Sequence, residues 1–288
     1  MCRQVSTRVA FVTGASRGIG KAIAVHLARV GYDVAVSART VEEGEQREHS
    51  STLKKSDTRP MPGSLATTAD LIAREGRQAL RVPADLTDRA SLVAAIGSVL
   101  DAWGHVDVLV NNGRYIGPGH MDVFLDTPIE LFEKHLEANV IGPLVLIKLV
   151  LPGMLERGDG MIVNITSGVV HMDPKALPGS GGWGLAYPLS KAALHRAAGS
   201  LHIELSSQGI RAYNVDPGFV ATERMALDKD LGFDAAAGAP PDVVGAAVAW
   251  LASDPAAQAL AGTTVHAQQL TADKGLLPGF TGPVTNPG

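Results

Sequence analysis

The chain has 288 residues, 45% of them hydrophobic, with a formal net charge of −4 and a pI near 6.1. That is enough apolar sequence for a sizeable core, and too mild a charge balance for a nucleic-acid or anionic-membrane surface. The single cysteine, Cys2, excludes an intramolecular disulfide and fits a reducing compartment. The first residues lack the apolar stretch and small-residue cleavage site of a secretory leader, so a cytoplasmic location is expected.

Short β-branched or apolar runs alternate with longer helical stretches. Strands are predicted at 8–13, 33–37, 78–82, 106–110, 160–165, 211–215 and 263–266, with helices between them, among them 20–30, 90–103 and 128–155. This rhythm predicts an α/β chain with a parallel sheet covered on both faces. Continuous apolar runs such as Val108-Leu109-Val110 suit strands buried on both sides. The apolar stretch 138–155 is interrupted by Pro143, Lys148 and Pro152 and is short for a membrane span, so a buried helix is expected there. One domain, 1–288, is expected, with interruptions at 42–68, 171–185, 219–238 and 268–288. The first reads as a polar surface insertion, the second as a glycine-rich substrate loop, the third as a lid and the fourth as an irregular tail.

Residues 9–20 read VAFVTGASRGIG. Gly14, Gly18 and Gly20 follow a predicted strand and open a predicted helix. In that context the first glycine permits a tight turn and the others let backbone and helix approach a pyrophosphate. Free N–H groups at the helix start then face the phosphates. The second strand ends Ser37-Ala38-Arg39-Thr40, with an arginine where an acidic residue would bind adenosine ribose hydroxyls. Arg39 suits a 2′-phosphate instead, and Arg17 is placed to reach it too, so NADP(H) is expected in preference to NAD(H).

Residues 186–194 read AYPLSKAAL. Pro188 fits the first turn of a helix, where a missing N–H costs nothing. Tyr187 then lies one turn before Lys191 on the same face. A free phenol has a pKa of about 10, and a nearby ammonium lowers it toward a useful acid–base value.

The ordered set resembles the short-chain dehydrogenase/reductase family from residue 8 to about 267. Thr13, Gly14, Gly18 and Gly20 match its TGxxxGxG turn, Asp85 its acidic residue near the adenine, and Asn111-Asn112-Gly113 most of its NNAG motif. Asn139, Ser167, and Tyr187 with Lys191 in YxxxK match its catalytic set. Pro217-Gly218 and Thr222 match the loop over the nicotinamide. The resemblance implies a Rossmann-like, doubly wound sheet of about seven strands. It implies cofactor contacts from Gly14, Ser16, Arg17, Gly18, Ile19, Gly20, Arg39, Asp85, Leu86, Asn112, Gly113, Tyr187, Lys191, Pro217, Gly218, Val220 and Thr222. Ser167 would hold the substrate oxygen, Lys191 the nicotinamide ribose, and the Asn139 carbonyl a relay water. Three features depart from the pattern: Arg114 replaces the motif's last glycine, Ser167 and Tyr187 stand further apart than usual, and HAQQLTADKG lacks the closing aspartate-glycine-glycine.

The implied activity interconverts an alcohol with a ketone or aldehyde. Enoyl reduction, epimerisation and a non-catalytic NADP-binding role remain as alternatives. Pocket walls are expected from 114–121, 171–183 and 219–233, contributing Tyr115, Met121, Met172, Trp183, Met225 and Phe233, which suits an apolar substrate. The insertion and its RPMPGS also resemble hydroxysteroid-dehydrogenase-like members of the family. His195 and His202 share a helix face without a third ligand at metal-site spacing, so no metal is expected. Small residues on the helix after Pro188, including Ala192, Ala193 and Gly199, suit a homodimer or homotetramer. No nucleic-acid or membrane partner is expected.

Overall fold

RVAFVT forms β1 (Arg8–Thr13), buried in all but its first residue. Val9 and Phe11 enter one hydrophobic cluster and Ala10 and Val12 another, as the two-residue repeat of a strand requires. The structure is a computed structural model and describes residues 7–227, 234 and 237–284.

The chain continues through α1 (Gly18–Arg29), β2 (Tyr32–Ala38), α2 (Leu65–Arg74), β3 (Ala79–Pro83), α3 (Arg89–Trp103) and β4 (Val108–Asn111). There follow α4 (Ile129–Leu136), α5 (Gly142–Arg157), β5 (Gly160–Ile165), α6 (Ala186–Leu205) and β6 (Ile210–Asp216). Last come α7 (Glu223–Leu227), α8 (Asp242–Ser253), β7 (Thr264–His266) and α9 (Ala267–Lys274). The strands form one sheet in the order β3-β2-β1-β4-β5-β6-β7, with every pairing parallel. The order reverses between β1 and β4, which opens a crevice beyond their carboxyl ends.

Helices cover both faces. Ile23, Leu27, Leu65, Ile72, Val244 and Val248 pack α1, α2 and α8 on one side, and Leu92, Ile96, Leu146, Val150 and Ala198 pack α3, α5 and α6 on the other. Each buried Leu, Ile or Val contributes about 1.5–3 kcal/mol, against at most about 1 kcal/mol for an exposed ion pair, so these two layers hold the fold. The run Ile129–Arg157 is apolar and long enough to cross a membrane by composition, but Leu146, Ile147, Val150 and Met154 are spent on the sheet.

Three expectations need correction. The fourth strand begins at Val108 rather than 106, because the Asp107 carboxylate accepts the Val9 N–H at 2.7 Å in place of a backbone carbonyl. The stretch 128–155 is two helices joined by a π-helical turn, Glu137–Ile141. Pro143 has no N–H to donate to the Asn139 carbonyl four residues back, so the α ladder cannot pass through. The chain widens instead, and Gly142 N–H bonds the Glu137 carbonyl. Finally, 42–68 is not merely a surface insertion. His49, Ser50, Ser51, Thr52, Met61 and Ser64 are buried. Polar residues go inside because they find partners: Thr52 Oγ1 and Leu53 N–H donate to the Asp122 carboxylate at 2.6 and 3.0 Å, and Arg224 donates to Ser51 Oγ at 2.8 Å.

Candidate active site

The crevice holds a cleft of about 280 Å³ above the ends of β1 to β5. Its floor is the turn after β1. Gly14 has a φ of +65°, and a Cβ there would lie 2.7 Å from Gly113 Cα. A Cβ on Gly20 would lie 2.2 Å from the Gly14 carbonyl oxygen. No side chain can replace hydrogen at either point. Thr13 Oγ1 donates to the Val110 carbonyl at 3.2 Å and accepts from the N–H groups of Asn112 and Gly113 at 3.0 and 2.9 Å. Asn112 Nδ2 returns bonds to the carbonyls of Thr13 and Gly14. The two strand ends are thereby fixed across the crevice.

Helix α1 starts with no side chain of its own capping it. Its first N–H groups therefore point into the cleft. Gly18 N–H meets the Glu223 carboxylate from α7 at 2.9 Å, and Lys21 Nζ meets the other oxygen of the same group at 2.5 Å. At the far end Arg39 stands 3.8 Å from Asp85. A cradle that excludes Cβ atoms, a helix start without a cap from its own N-terminal side chain and an arginine just after β2 together fit a phosphorylated dinucleotide.

The insertion forms a wall of this cleft through Glu45, Arg47, Glu48, His49, Arg59 and Met61. It also engages Arg17. The guanidinium donates to the carbonyls of Pro62, Met61 and Gly63 at 2.9, 3.3 and 2.7 Å. Burial lowers its pKa from the ordinary value, with the carboxylates of Glu223 and Glu43 working the other way. Arg17 lines the cleft, yet much of its donor fork is spent holding the insertion down.

The acid–base end is built by α6. Tyr187 is its second residue, with Pro188 in the first turn, and Lys191 follows one turn later. Lys191 is 3% exposed and donates to the Ile165 carbonyl at 2.7 Å. Burial, aided by the positive charge of Arg114, pushes its ammonium down to about 7. Asn139, buried in the π turn, donates from Nδ2 to Ser190 Oγ at 2.9 Å and accepts the Tyr115 N–H at 2.6 Å. It therefore ties α6 to the segment after β4. Ser167 caps a single turn, Gly168–Val170, by accepting the Val169 N–H at 3.4 Å.

Most of the expected site converges. Gly14, Ser16, Arg17, Gly18, Ile19, Gly20, Arg39, Asp85, Leu86, Asn112, Gly113, Tyr187, Lys191, Pro217 and Thr222 all line the cleft. Asn139, Ser167, Gly218 and Val220 do not line it directly: Asn139 and Val220 are buried behind it, and Ser167 and Gly218 stand at the ends of β5 and β6. The expected substrate walls divide. Tyr115 lines the cleft, whereas Met172 and Trp183 line a separate groove of about 540 Å³ with Val169, Leu177 and Leu185. Phe233 and much of the expected lid lie outside the described residues.

Sequence reasoning missed four contributors. Besides the insertion residues and Glu223, these are His120 and Gln268. The His120 ring lies 4.5 Å from that of Tyr187, and its Nδ1 is buried with no hydrogen-bond partner. Burial, then the charges of Arg114, Arg224 and His135, hold its pKa well below the usual imidazole value. Gln268 Nε2 donates to the carbonyls of Pro217 and Phe219 at 3.0 Å each, ordering the loop from the position just beyond β7 where the family's glycines are missing. Among the described residues no group of three or more His, Cys, Asp or Glu side chains could hold a metal; His195 instead meets Thr264 Oγ1 at 3.2 Å.

A family profile described as short chain dehydrogenase matches residues 8–59 and 58–230. Human dehydrogenase/reductase SDR family member 7 is 34% identical over 218 residues, covering 75% of this chain and 56% of that protein. The chain thus spans little more than half the length of that relative. A solved metagenomic short-chain oxidoreductase in complex with NADP superposes with a TM-score of 0.68 at 27% identity, covering 91% of this chain and 96% of the other. A 7α-hydroxysteroid dehydrogenase complexed with NADH and 7-oxo glycochenodeoxycholic acid gives 0.71 at 26% identity, covering 90% and 92%.

Proposed function

This chain belongs to the short-chain dehydrogenase/reductase family of oxidoreductases, and on that premise we propose that it interconverts an alcohol and a ketone or aldehyde with NADP(H), using Tyr187 as general acid and base. The observation that carries the reading is the convergence of Tyr187 and Lys191 with the glycine turn in one cleft.

A bound nicotinamide dinucleotide supplies or accepts the hydride. The chain's own residues do the rest. In reduction Tyr187 Oη donates a proton to the carbonyl oxygen, and in oxidation it takes the hydroxyl proton back. Lys191, held by the Ile165 carbonyl, presents its ammonium one turn away and favours the phenolate. Ser167, at the end of β5, holds the substrate oxygen. The Asn139 carbonyl, denied its usual helical donor by Pro143, is the acceptor for a relay water. Gly14, Gly18 and Gly20 let the pyrophosphate approach the start of α1.

Preference for NADP(H) is supported by Arg39, the residue just after β2, which lines the cleft 3.8 Å from Asp85. The two solved relatives described above carry NADP in one case and NADH in the other. An apolar substrate is supported by Tyr115 and Ile116, which line the cleft together with Tyr187. We further propose one catalytic domain acting as a cytoplasmic homodimer or homotetramer.

Oxidation of NADPH and of NADH across a panel of ketones and aldehydes tests this reading. Turnover with NADPH and an apolar ketone is expected. Tight NADPH binding with no turnover of any carbonyl would mark a binding protein instead.

A further inference from the structure

Arg114 stands where the family's motif ends in glycine, and the structure puts its charge against the reacting phenol. Its guanidinium carbon lies 5.3 Å from the centroid of the Tyr187 ring. The side chain is held there by its own loop, with Nη1 donating to the Tyr115 carbonyl at 3.0 Å. Arg114, Tyr187 and Lys191 all line the one cleft.

We propose that Arg114 is a second cationic partner of Tyr187, a positioning residue that stabilises the phenolate through the ring face. The proposal rests on the reading of Tyr187 as the acid–base group. A cation over an aromatic face is attracted by the ring's negative quadrupole, and ionising the phenol enriches that face further. The cation therefore favours the ionised form over the neutral one.

Lys191 alone supplies this charge incompletely. It is buried, and the same Arg114 charge helps bring its ammonium down to about 7. Near neutrality such a lysine is only partly charged, whereas a guanidinium is charged at every working pH. Among the described residues, Arg114 and His120 from the segment after β4 lie against the Tyr187 ring, and Lys191 shares its cleft from the same helix. Arg224 acts on His120 from α7. Because His120 is held neutral by its surroundings, Arg114 is, among the described residues, the permanent cation over the ring.

The test is a titration of tyrosinate absorbance. The chain has four tyrosines, and burial pushes the pKa of Tyr32, Tyr115 and Tyr213 up. Subtracting the curve of a Tyr187→Phe variant isolates the Tyr187 contribution. Arg114→Gln keeps a donor for the Tyr115 carbonyl and removes the charge. It should move the Tyr187 midpoint upward by about one pH unit, with the acidic limb of kcat for alcohol oxidation moving by the same amount. Arg114→Lys should hold the midpoint near the wild-type value. An unmoved midpoint in Arg114→Gln overturns the proposal, and so does a raised KM with an unmoved midpoint, which would make Arg114 a substrate-binding group. Full turnover by Tyr187→Phe would instead overturn the acid–base reading itself.

Discussion

Glu223 Oε2 accepts the backbone N–H of Gly18 at 2.9 Å, so a carboxylate from α7 rests on the start of α1. The same helix start is where dinucleotide phosphates bind in this kind of fold. Two anions cannot share it without repulsion, and the carboxylate also holds Lys21. Glu223→Gln should therefore tighten NADPH binding, by about fivefold or roughly 1 kcal/mol. Titration of protein or nucleotide fluorescence reads this directly. Weaker binding in the variant would mean that Glu223 acts as a latch over the bound cofactor.

Lys191 gives a prediction about stability. Its folded value is about 7, against an ordinary 10.5. Between those values the unfolded chain binds a proton that the fold rejects, so the wild-type protein gains stability as pH rises through that window. The gain is on the order of 5 kcal/mol. Urea midpoints measured along a pH series should climb in the wild type, and the Lys191→Met variant should lack that increment. Parallel curves for the two proteins would show that Lys191 is charged inside the fold.

Arg39 and Arg17 should separate by role. Arg39→Ala should weaken NADPH about tenfold or more and leave NADH nearly unchanged, since only the former has a 2′-phosphate for a charge-assisted contact. Arg17→Ala should instead release the segment that its guanidinium holds at Met61, Pro62 and Gly63. Hydrogen exchange in residues 41–64 would then quicken. Equal losses for both cofactors in Arg39→Ala would remove the argument for NADP(H).

The sheet was legible because its strands are continuous β-branched and apolar runs, as in Val108-Leu109-Val110, with glycine and helix punctuation between them. The glycine turn and the Tyr187–Lys191 pair were legible because their spacing is local. The role of 42–68 was not. His49, Ser50, Ser51 and Thr52 read as surface residues by polarity, and the partners of Thr52 and Ser51 are Asp122 and Arg224, far away in sequence. Arg17 was read toward a ligand for the same reason, since its carbonyl partners lie some 45 positions along the chain. Gln268 replaces a missing glycine motif with a side-chain amide, and no local pattern announces such an exchange.

Proton transfer by Tyr187 is tested most directly by a single comparison. Wild-type and Tyr187→Phe proteins are given NADPH and the best carbonyl substrate from the panel, with NADPH affinity measured alongside. Phenylalanine keeps the ring against His120 and Arg114 and removes only the hydroxyl. The expected result is a fall in kcat of about a thousandfold or more with NADPH affinity nearly unchanged. Turnover by the variant within about tenfold of wild type would contradict the assignment of Tyr187 as the proton donor.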